Sequence, residues 1–581
     1  DSRTIKVPCM LAIGFRRIVR IVTCLLLACT FAVDVHAVCI ANQSCQSPSE
    51  EQATQLFAMI EQLYPALFVR GTTIQTYTSG NASGHFRVYA EGAASLGVFQ
   101  GGMWYALGKG WMRYSSIDEA NAQFCAGTCF AIPTDNNGFR GNIVLGSPTA
   151  SSVKANVYVP DQSGNVYLVY GTTSGVYNKR SANAAIAAAV PVELQMDRLN
   201  PDTRYYYRLY FQDSTGNSTG ATEEYSFHTQ RPPGTAFTFA LQGDSHPERE
   251  RSQFDATLYT RTLQTAAADK PDFYLLMGDD FSVDTLNPLT ITRSQVAGRY
   301  TLQRPFLGQI GRSAPLFLVN GNHEQSARYL LDGTPDNVAV WAQTARNSLY
   351  SQPAPDNFYS GNHEVVPFIG LLRNYFAWNW GDALFVAIDF YWGSDVCVDN
   401  SFFGDAKRSD LWDVTLGEAQ YAWLKKTLEQ SKSKYKFVFA HHVLGTGRGG
   451  IEVAPKFEWG GLNNDGITNG FRTRRSALPA TIHQLLVDNN VTIFFQGHDH
   501  IWVRQTLDGV TYQTLSEPAD PNYSLFNDSA FKTGNKFPNT GYTRVNVSDA
   551  GVRVDYVRTY LPKDETGGRT NGEIAYSYLL K

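Results

Sequence analysis

Five apolar runs in the C-terminal part of the chain end on residues that can bind metal ions or carry protons. Residues 236–241 lead into Gly243-Asp244-Ser245-His246, and residues 273–277 into Gly278-Asp279-Asp280. Residues 316–319 are followed by Gly321-Asn322-His323-Glu324, 437–440 by His441-His442, and 491–495 by Gly497-His498-Asp499-His500. A single Gly-Asp or His after a strand is usually structural. Five in one chain, each supplying carboxylate, imidazole or amide oxygen, point to one shared site, because open α/β sheets bind ligands beyond the carboxyl ends of their strands. A carboxylate able to bridge, with nitrogen and oxygen donors around it, suits two metal ions about 3.5–4 Å apart. Such a pair acidifies a bridging water and so supplies a nucleophile for hydrolysis. That chemistry needs no Ser or Cys nucleophile, so Ser245 is expected to be inert.

These run ends have to be positioned by a folded scaffold. From residue 236 the pattern is mixed α/β, with apolar strands alternating with helical stretches. The spacing predicts a helix over 415–429, with Thr415 and Glu418 as a capping box. Its face is Leu416, Gln420, Trp423, Leu424, Thr427 and Leu428. The catalytic domain is expected over 236–560, with a late strand at 552–560 and a C-terminal extension over 561–581. Before it, residues 141–231 contain short strands at 155–159, 166–170 and 205–209 separated by turn residues, the pattern of an all-β sandwich. The segment Arg231-Pro232-Pro233-Gly234 reads as a linker.

Residues 38–140 form a small module in which aromatic residues alternate with Gly. Runs at 86–89, 96–99 and 103–107 suggest hairpins, and a compact aromatic core explains them better than glycan binding. Within residues 1–37, Arg16, Arg17 and Arg20 precede an apolar stretch at 21–33 and then Val35-His36-Ala37, the layout of a secretory signal peptide. The fold class is therefore multidomain: a β-rich module, a β-sandwich and an α/β catalytic domain.

Composition narrows the partners. The chain of 581 residues carries 49 Lys and Arg against 53 Asp and Glu, a net charge of −4. With no basic run, a nucleic-acid partner is not expected, nor a membrane once the signal is removed. Export makes the close pairs Cys39/Cys45 and Cys125/Cys129 disulfide candidates, with cross-pairing equally allowed. Cys397 reads as a buried thiol, and no cysteine is assigned to catalysis.

The motif order D-x-H, GD, GNH, H and GHxH over residues 236–505 resembles the calcineurin-like metallophosphoesterase superfamily. The segment Leu199-Asn200-Pro201-Asp202-Thr203-Arg204-Tyr205 resembles the corner of a fibronectin type III domain, which precedes the catalytic domain in purple acid phosphatases and some bacterial phosphatases. The resemblance implies a metallophosphoesterase β-sandwich flanked by helices, holding two divalent or trivalent ions (Fe, Zn or Mn). It implies that Asp244, His246, Asp279 and His500 hold one ion, and Asp279, Asn322, His441 and His498 the other. His323 would be the general acid for the leaving oxygen. His442 stays open as ligand or substrate contact, and Arg448, in a Gly-rich loop, is the candidate clamp for a substrate phosphate. Asp280, Glu324 and Asp499 are candidates to orient ligand imidazoles.

Two local features refine this. Gly361-Asn362-His363-Glu364 repeats the third motif but follows no apolar strand, so it is assigned to a loop. Purple acid phosphatases carry a Tyr ligand three residues after the bridging Asp and lack the His of the first motif; here Ser282 stands at that place and His246 is present. The expectation is an exported, secreted or periplasmic bacterial phosphomonoesterase that is not purple. The alternatives are a phosphodiesterase or nucleotidase of the same superfamily, and a surface-binding protein with a vestigial hydrolase.

Overall fold

The computed structural model describes residues 139–581 except 251, 404–407 and 446; before residue 139 it describes only six short strands. Those strands, Ser2–Lys6, Thr73–Tyr77, Phe86–Tyr89, Ser95–Gln100, Met103–Ala106 and Met112–Tyr114, pair in chain order. The three expected hairpin runs fall on three of them. The apolar stretch at 21–33 and Cys39, Cys45, Cys125 and Cys129 lie outside the described residues. Cys397 is half-buried rather than buried. Among the described residues no helix is long and apolar enough to cross a membrane.

The chain divides into two compact units, one of residues 1–140, 159–188 and 206–225, the other of 141–158, 189–205 and 226–581. The first unit holds most of a sheet in which Lys179–Arg180, Gly164–Gly171, Arg204–Gln212 and Ser218–Ala221 follow one another. In the second unit, Val192–Met196, Val153–Tyr158 and Asn142–Gly146 form a three-stranded antiparallel sheet. Nearby, the Tyr205 hydroxyl accepts a 2.9 Å hydrogen bond from the backbone N–H of Asn200. This local bond is of the kind that pins the corner of Greek-key sandwiches.

The three-stranded sheet is joined to the catalytic part of its unit by Arg304. This buried guanidinium donates to Asn142 Oδ1 at 2.6 Å and to the Asn156 carbonyl at 2.9 Å. Arg231, at the head of the expected linker, forms a two-point ion pair with the buried Asp272, at 2.5 and 3.0 Å. A bidentate pair with a buried carboxylate fixes geometry, so this segment is pinned to the catalytic part.

Two sheets carry the catalytic part. In the first, Leu316–Leu318, Tyr274–Leu276 and Phe237–Gln242 are parallel, followed by Gly541–Ser548, Gly551–Arg558 and Ile574–Leu580. Ile574–Leu580, within the expected extension, thus completes this sheet. In the second, Ala383–Ala387, Tyr435–Phe439, Ile493–Gln496 and Val510–Thr514 are parallel neighbours.

Alternation along the strands explains the layering. Phe237, Phe239, Phe273, Leu275 and Phe317 face the second sheet and meet Phe385, Phe437 and Phe495 in a shared aromatic core. The intervening Ala240, Tyr274, Leu276, Leu316 and Leu318 face helices that include Ala256–Ala268, Arg304–Gly311 and Val338–Leu349. Strands covered on both faces read as unbroken apolar runs, which is why these were visible in the sequence. The predicted helix over 415–429 is Glu418–Gln430, buried through Gln420, Tyr421, Leu424 and Leu428. Thr415 does not cap it: its hydroxyl accepts from the Gly417 N–H at 2.9 Å, and Gly417, with φ of 76°, is the residue before the first turn.

Candidate metal centre

The five strand ends meet at one buried point where the two sheets come together. Asp279 Oδ2 lies 3.0 Å from His441 Nε2, 3.7 Å from His323 Nε2 and 4.0 Å from His246 Nε2. Asp244 Oδ2 lies 3.0 Å from His500 Nε2 and 3.8 Å from His246 Nε2. Asn322 Oδ1 is 2.9 Å from His441 Nε2 and 3.1 Å from His498 Nδ1. The structure thus brings all seven predicted ligands together, with His323 beside them, its side chain 13% exposed. Asp279 is the member that reaches both groups.

Local backbone geometry accounts for the glycines in the motifs. Gly278 has φ of +95°, and a Cβ there would sit 2.6 Å from Gly321 N and 2.8 Å from His441 Nδ1. A Cβ on Gly321 would collide with Asp279 Oδ1 and the Glu324 carboxylate. His246, Asp279, His498 and His500 all adopt left-handed backbone, with φ of 45°, 60°, 67° and 55°. Each costs roughly 1–2 kcal/mol for an L-residue, and such strain concentrates at functional sites.

The donor set fits two metal ions. His246 Nε2 is buried without a hydrogen bond among the described residues, and Asp244 Oδ2 faces the imidazoles of His500 at 3.0 Å and His246 at 3.8 Å. Leaving buried polar atoms unpaired is costly, and an ion is the partner that carboxylate and imidazole donors share. Ligand atoms of Asp244, His246 and His500 lie within 4.8 Å of one another, as do those of Asp244, Asp279, His441 and His498. The trio His441, His442 and His498 satisfies the same limit, so His442 remains a candidate ligand. His442 Nε2 is 3.4 Å from the Tyr391 hydroxyl.

The groups behind the imidazoles are not the ones anticipated. His246 Nδ1 lies 2.9 Å from Glu248 and 3.2 Å from Ser282 Oγ, His500 Nδ1 lies 2.8 Å from Glu517, and His441 Nδ1 lies 2.7 Å from the Met277 carbonyl. Asp399 Oδ2 is 3.5 Å from His498 Nε2. Such partners fix ring orientation and tautomer. Asp280, Glu324 and Asp499 contact no ligand imidazole in this way. Glu324 instead accepts from the backbone N–H groups of Asp279, Asp280, Phe281 and Gly321 at 2.6–3.1 Å, clamping two motif loops together. Asp280 accepts from Ser245 and Gln242 at 2.6 and 3.0 Å, and burial pushes its carboxyl well above the usual range. Asp499 accepts from Gln496 Nε2 at 3.2 Å.

His323 Nδ1 lies 2.8 Å from Asp284, and its Nε2 lies 2.9 Å from the Asn400 amide and 3.5 Å from Arg249. Burial alone would lower this imidazole; the Asp279 and Asp284 carboxylates outweigh it and push it up to about 9. Arg448 donates to the His498 carbonyl and lies 3.8 Å from Asp499, with its side chain 36% exposed. The second Gly-Asn-His-Glu copy lies away from the site: Asn362 bonds Asn374 at 2.9 Å, and His363 is exposed. Glu248, Asp284, Asp399, Asn400 and Glu517 were missed. Glu248, two residues from His246, had a local signal, and Asp284 lies in the short 3-10 turn Val283–Thr285 just after the second motif; the others come from loops without periodicity.

Residues 237–502 match the family model of the calcineurin-like phosphoesterases. Residues 237–502 are thus similar to the calcineurin-like phosphoesterases, a superfamily of metal-dependent phosphoester hydrolases. Among solved structures, a purple acid phosphatase, PPD1, from yellow lupin seeds is 12% identical with a TM-score of 0.50, covering 87% of this chain and 78% of its own. That likeness concerns the fold. GAP50, the anchor in the inner membrane complex of Plasmodium, is 13% identical with a TM-score of 0.31, covering 59% and 88%. The phosphopantetheinyl hydrolase PptH of Mycobacterium tuberculosis is 14% identical with a TM-score of 0.24, covering 49% and 91%. No curated protein matches the chain.

Proposed function

We propose that this protein is an exported binuclear-metal phosphomonoesterase. The observation that carries the reading is the convergence of Asp244, His246, Asp279, Asn322, His441, His498 and His500 on one buried point, with His246 Nε2 lacking a hydrogen bond. Asp244, His246, Asp279 and His500 would hold one ion, and Asp279, Asn322, His441 and His498 the other. When bound, the pair supplies Lewis acidity toward the phosphoryl oxygens and a nucleophile at neutral pH.

The chain's own residues do the rest. His323 Nδ1 is held by Asp284, and Nε2, which also meets the Asn400 amide at 2.9 Å, is the atom assigned to give a proton to the departing alkoxide. The Asp284 carboxylate at 2.8 Å favours the charged form of this imidazole. Arg448 stands beside the His498 loop as the candidate phosphate contact. The acidic balance of the chain favours a small phosphate ester over nucleic acid. The signal-like pattern of residues 1–37 supports export, and N-terminal sequencing of the exported protein would find residues 1–37 removed.

Metal analysis of the full chain, with a panel of mono- and diesters, tests the proposal. Two ions per chain and turnover of monoesters above diesters are expected. A protein holding fewer than two ions and turning over neither would overturn it; preferred diester turnover would replace the substrate class.

A further inference from the structure

A cavity of about 610 Å³ opens beside the metal centre. Its wall includes Asp399, 3.5 Å from His498 Nε2, and Val443 and Leu444, which directly follow the His441-His442 pair. Asp399 and Ser401, both in the wall, flank Asn400, whose amide lies 2.9 Å from His323 Nε2. The cavity is therefore one residue away from the group assigned to protonate the leaving oxygen. In an in-line displacement the alcohol portion of the ester must depart toward that acid, so this is the space the alcohol would occupy.

Much of the buried lining is apolar, with the Asp399 carboxylate and the half-buried Ser401 and Lys456 as its polar members. Val443, Leu444 and Phe457 are 1–3% exposed and form the base, with half-buried Val396, Leu411 and Val453 above them. Asp395, Arg408, Ser409 and Asn464 are exposed and form the rim. At the rim Arg408 is already engaged, 3.0 Å from Asp413. An apolar base under a polar rim is the usual build of a small-molecule pocket, in which apolar walls supply affinity.

We infer that this cavity is the leaving-group pocket and that it selects phosphate monoesters of alcohols with an aromatic or branched apolar body. The inference rests on the monoesterase reading above. The pocket removes apolar surface from water only if the ester carries it, so a bare propyl chain gains less than the same chain ending in a ring. Burying one phenyl ring is expected to raise kcat/KM about tenfold or more.

The test uses the metal-loaded full chain with 3-phenylpropyl phosphate and n-propyl phosphate, whose alcohols ionise alike, so leaving-group acidity does not bias the comparison. Binding of the matching non-hydrolysable phosphonates is measured in parallel by titration calorimetry. Wild-type protein should show a ratio of about ten or more in both kcat/KM and affinity. Leu411→Asp should bring both ratios down toward one while metal content stays at two ions per chain. Equal affinity of wild-type protein for the two phosphonates would overturn the pocket. Tighter binding of the phenyl phosphonate with no turnover of either ester would uphold the pocket and overturn the monoesterase reading. An unchanged ratio in a folded Leu411→Asp protein would place the selective surface elsewhere and overturn the assignment.

Discussion

The chain contains the same four residues twice, Gly321-Asn322-His323-Glu324 and Gly361-Asn362-His363-Glu364, and the two copies do different work. The first follows Leu316–Leu318, a parallel strand buried on both faces, and its residues are delivered to the point where the sheets meet. Asn322 turns its oxygen to His441 and His498, and the His323 N–H donates to Asp279 Oδ1 at 2.9 Å. The second follows a turn and begins on Ser360–Gly361, a two-residue strand at one end of the second sheet. There Asn362 Oδ1 accepts from the Glu364 N–H, His363 faces solvent, and the exposed Glu364 pairs with the half-buried Arg328 at 3.0 Å. A motif becomes a site through the strand that precedes it; the letters alone do not make one.

Paired substitutions in the two copies and around them can break or sharpen this contrast. The largest effect is expected at the residue the first copy surrounds: Asp279→Ala should lose bound metal and reduce turnover to background, read by metal analysis and a phosphatase assay. Next, His323→Ala should lower kcat on an alkyl phosphate by roughly 10²–10⁴, whereas His363→Ala should leave it unchanged. Full turnover by the His323 variant would remove its assigned role. Third, Glu324→Gln leaves buried N–H donors of two loops facing an amide, and each lost acceptor costs roughly 1–3 kcal/mol. Glu364→Gln, at an exposed pair, should cost under about 1 kcal/mol; urea unfolding of both variants measures the difference. Smallest in activity is Asn362→Ala. It should lower stability by about 1 kcal/mol through the lost buried bond to Asn374 and leave kcat within error.

A further comparison concerns colour. Ser282, 3.2 Å from His246 Nδ1, stands where purple acid phosphatases place a tyrosine ligand. The metal-loaded protein should show no intense visible band. A strong tyrosinate-to-iron absorption would contradict the ligand set proposed around His246.

The contrast also explains which features were legible in the sequence. The strand ends were readable because Phe273–Met277 and its counterparts are buried on both faces and appear as unbroken apolar runs. The glycines of the motifs were readable for a steric reason, since Gly278 and Gly321 sit where the neighbouring loop leaves no room for a side chain. The groups that orient the imidazoles were not readable. Glu517 and Asp399 reach the site from loops far along the chain, where no period ties them to a ligand. Asp280, Glu324 and Asp499 stand one or two residues from ligands in the sequence, yet backbone direction turns them to backbone N–H groups, amides and a hydroxyl instead. Thr415 shows the same limit on a smaller scale: the capping-box letters are present, but the chain turns at Gly417 and spends the hydroxyl there.

Anomalous diffraction from crystals of the metal-loaded full chain tests the central claim most directly. Two peaks about 3.5–4 Å apart on either side of the Asp279 carboxylate are predicted, one beside Asp244, His246 and His500, the other beside Asn322, His441 and His498. A single peak, or peaks that leave Asp279 without a metal contact, would contradict the account.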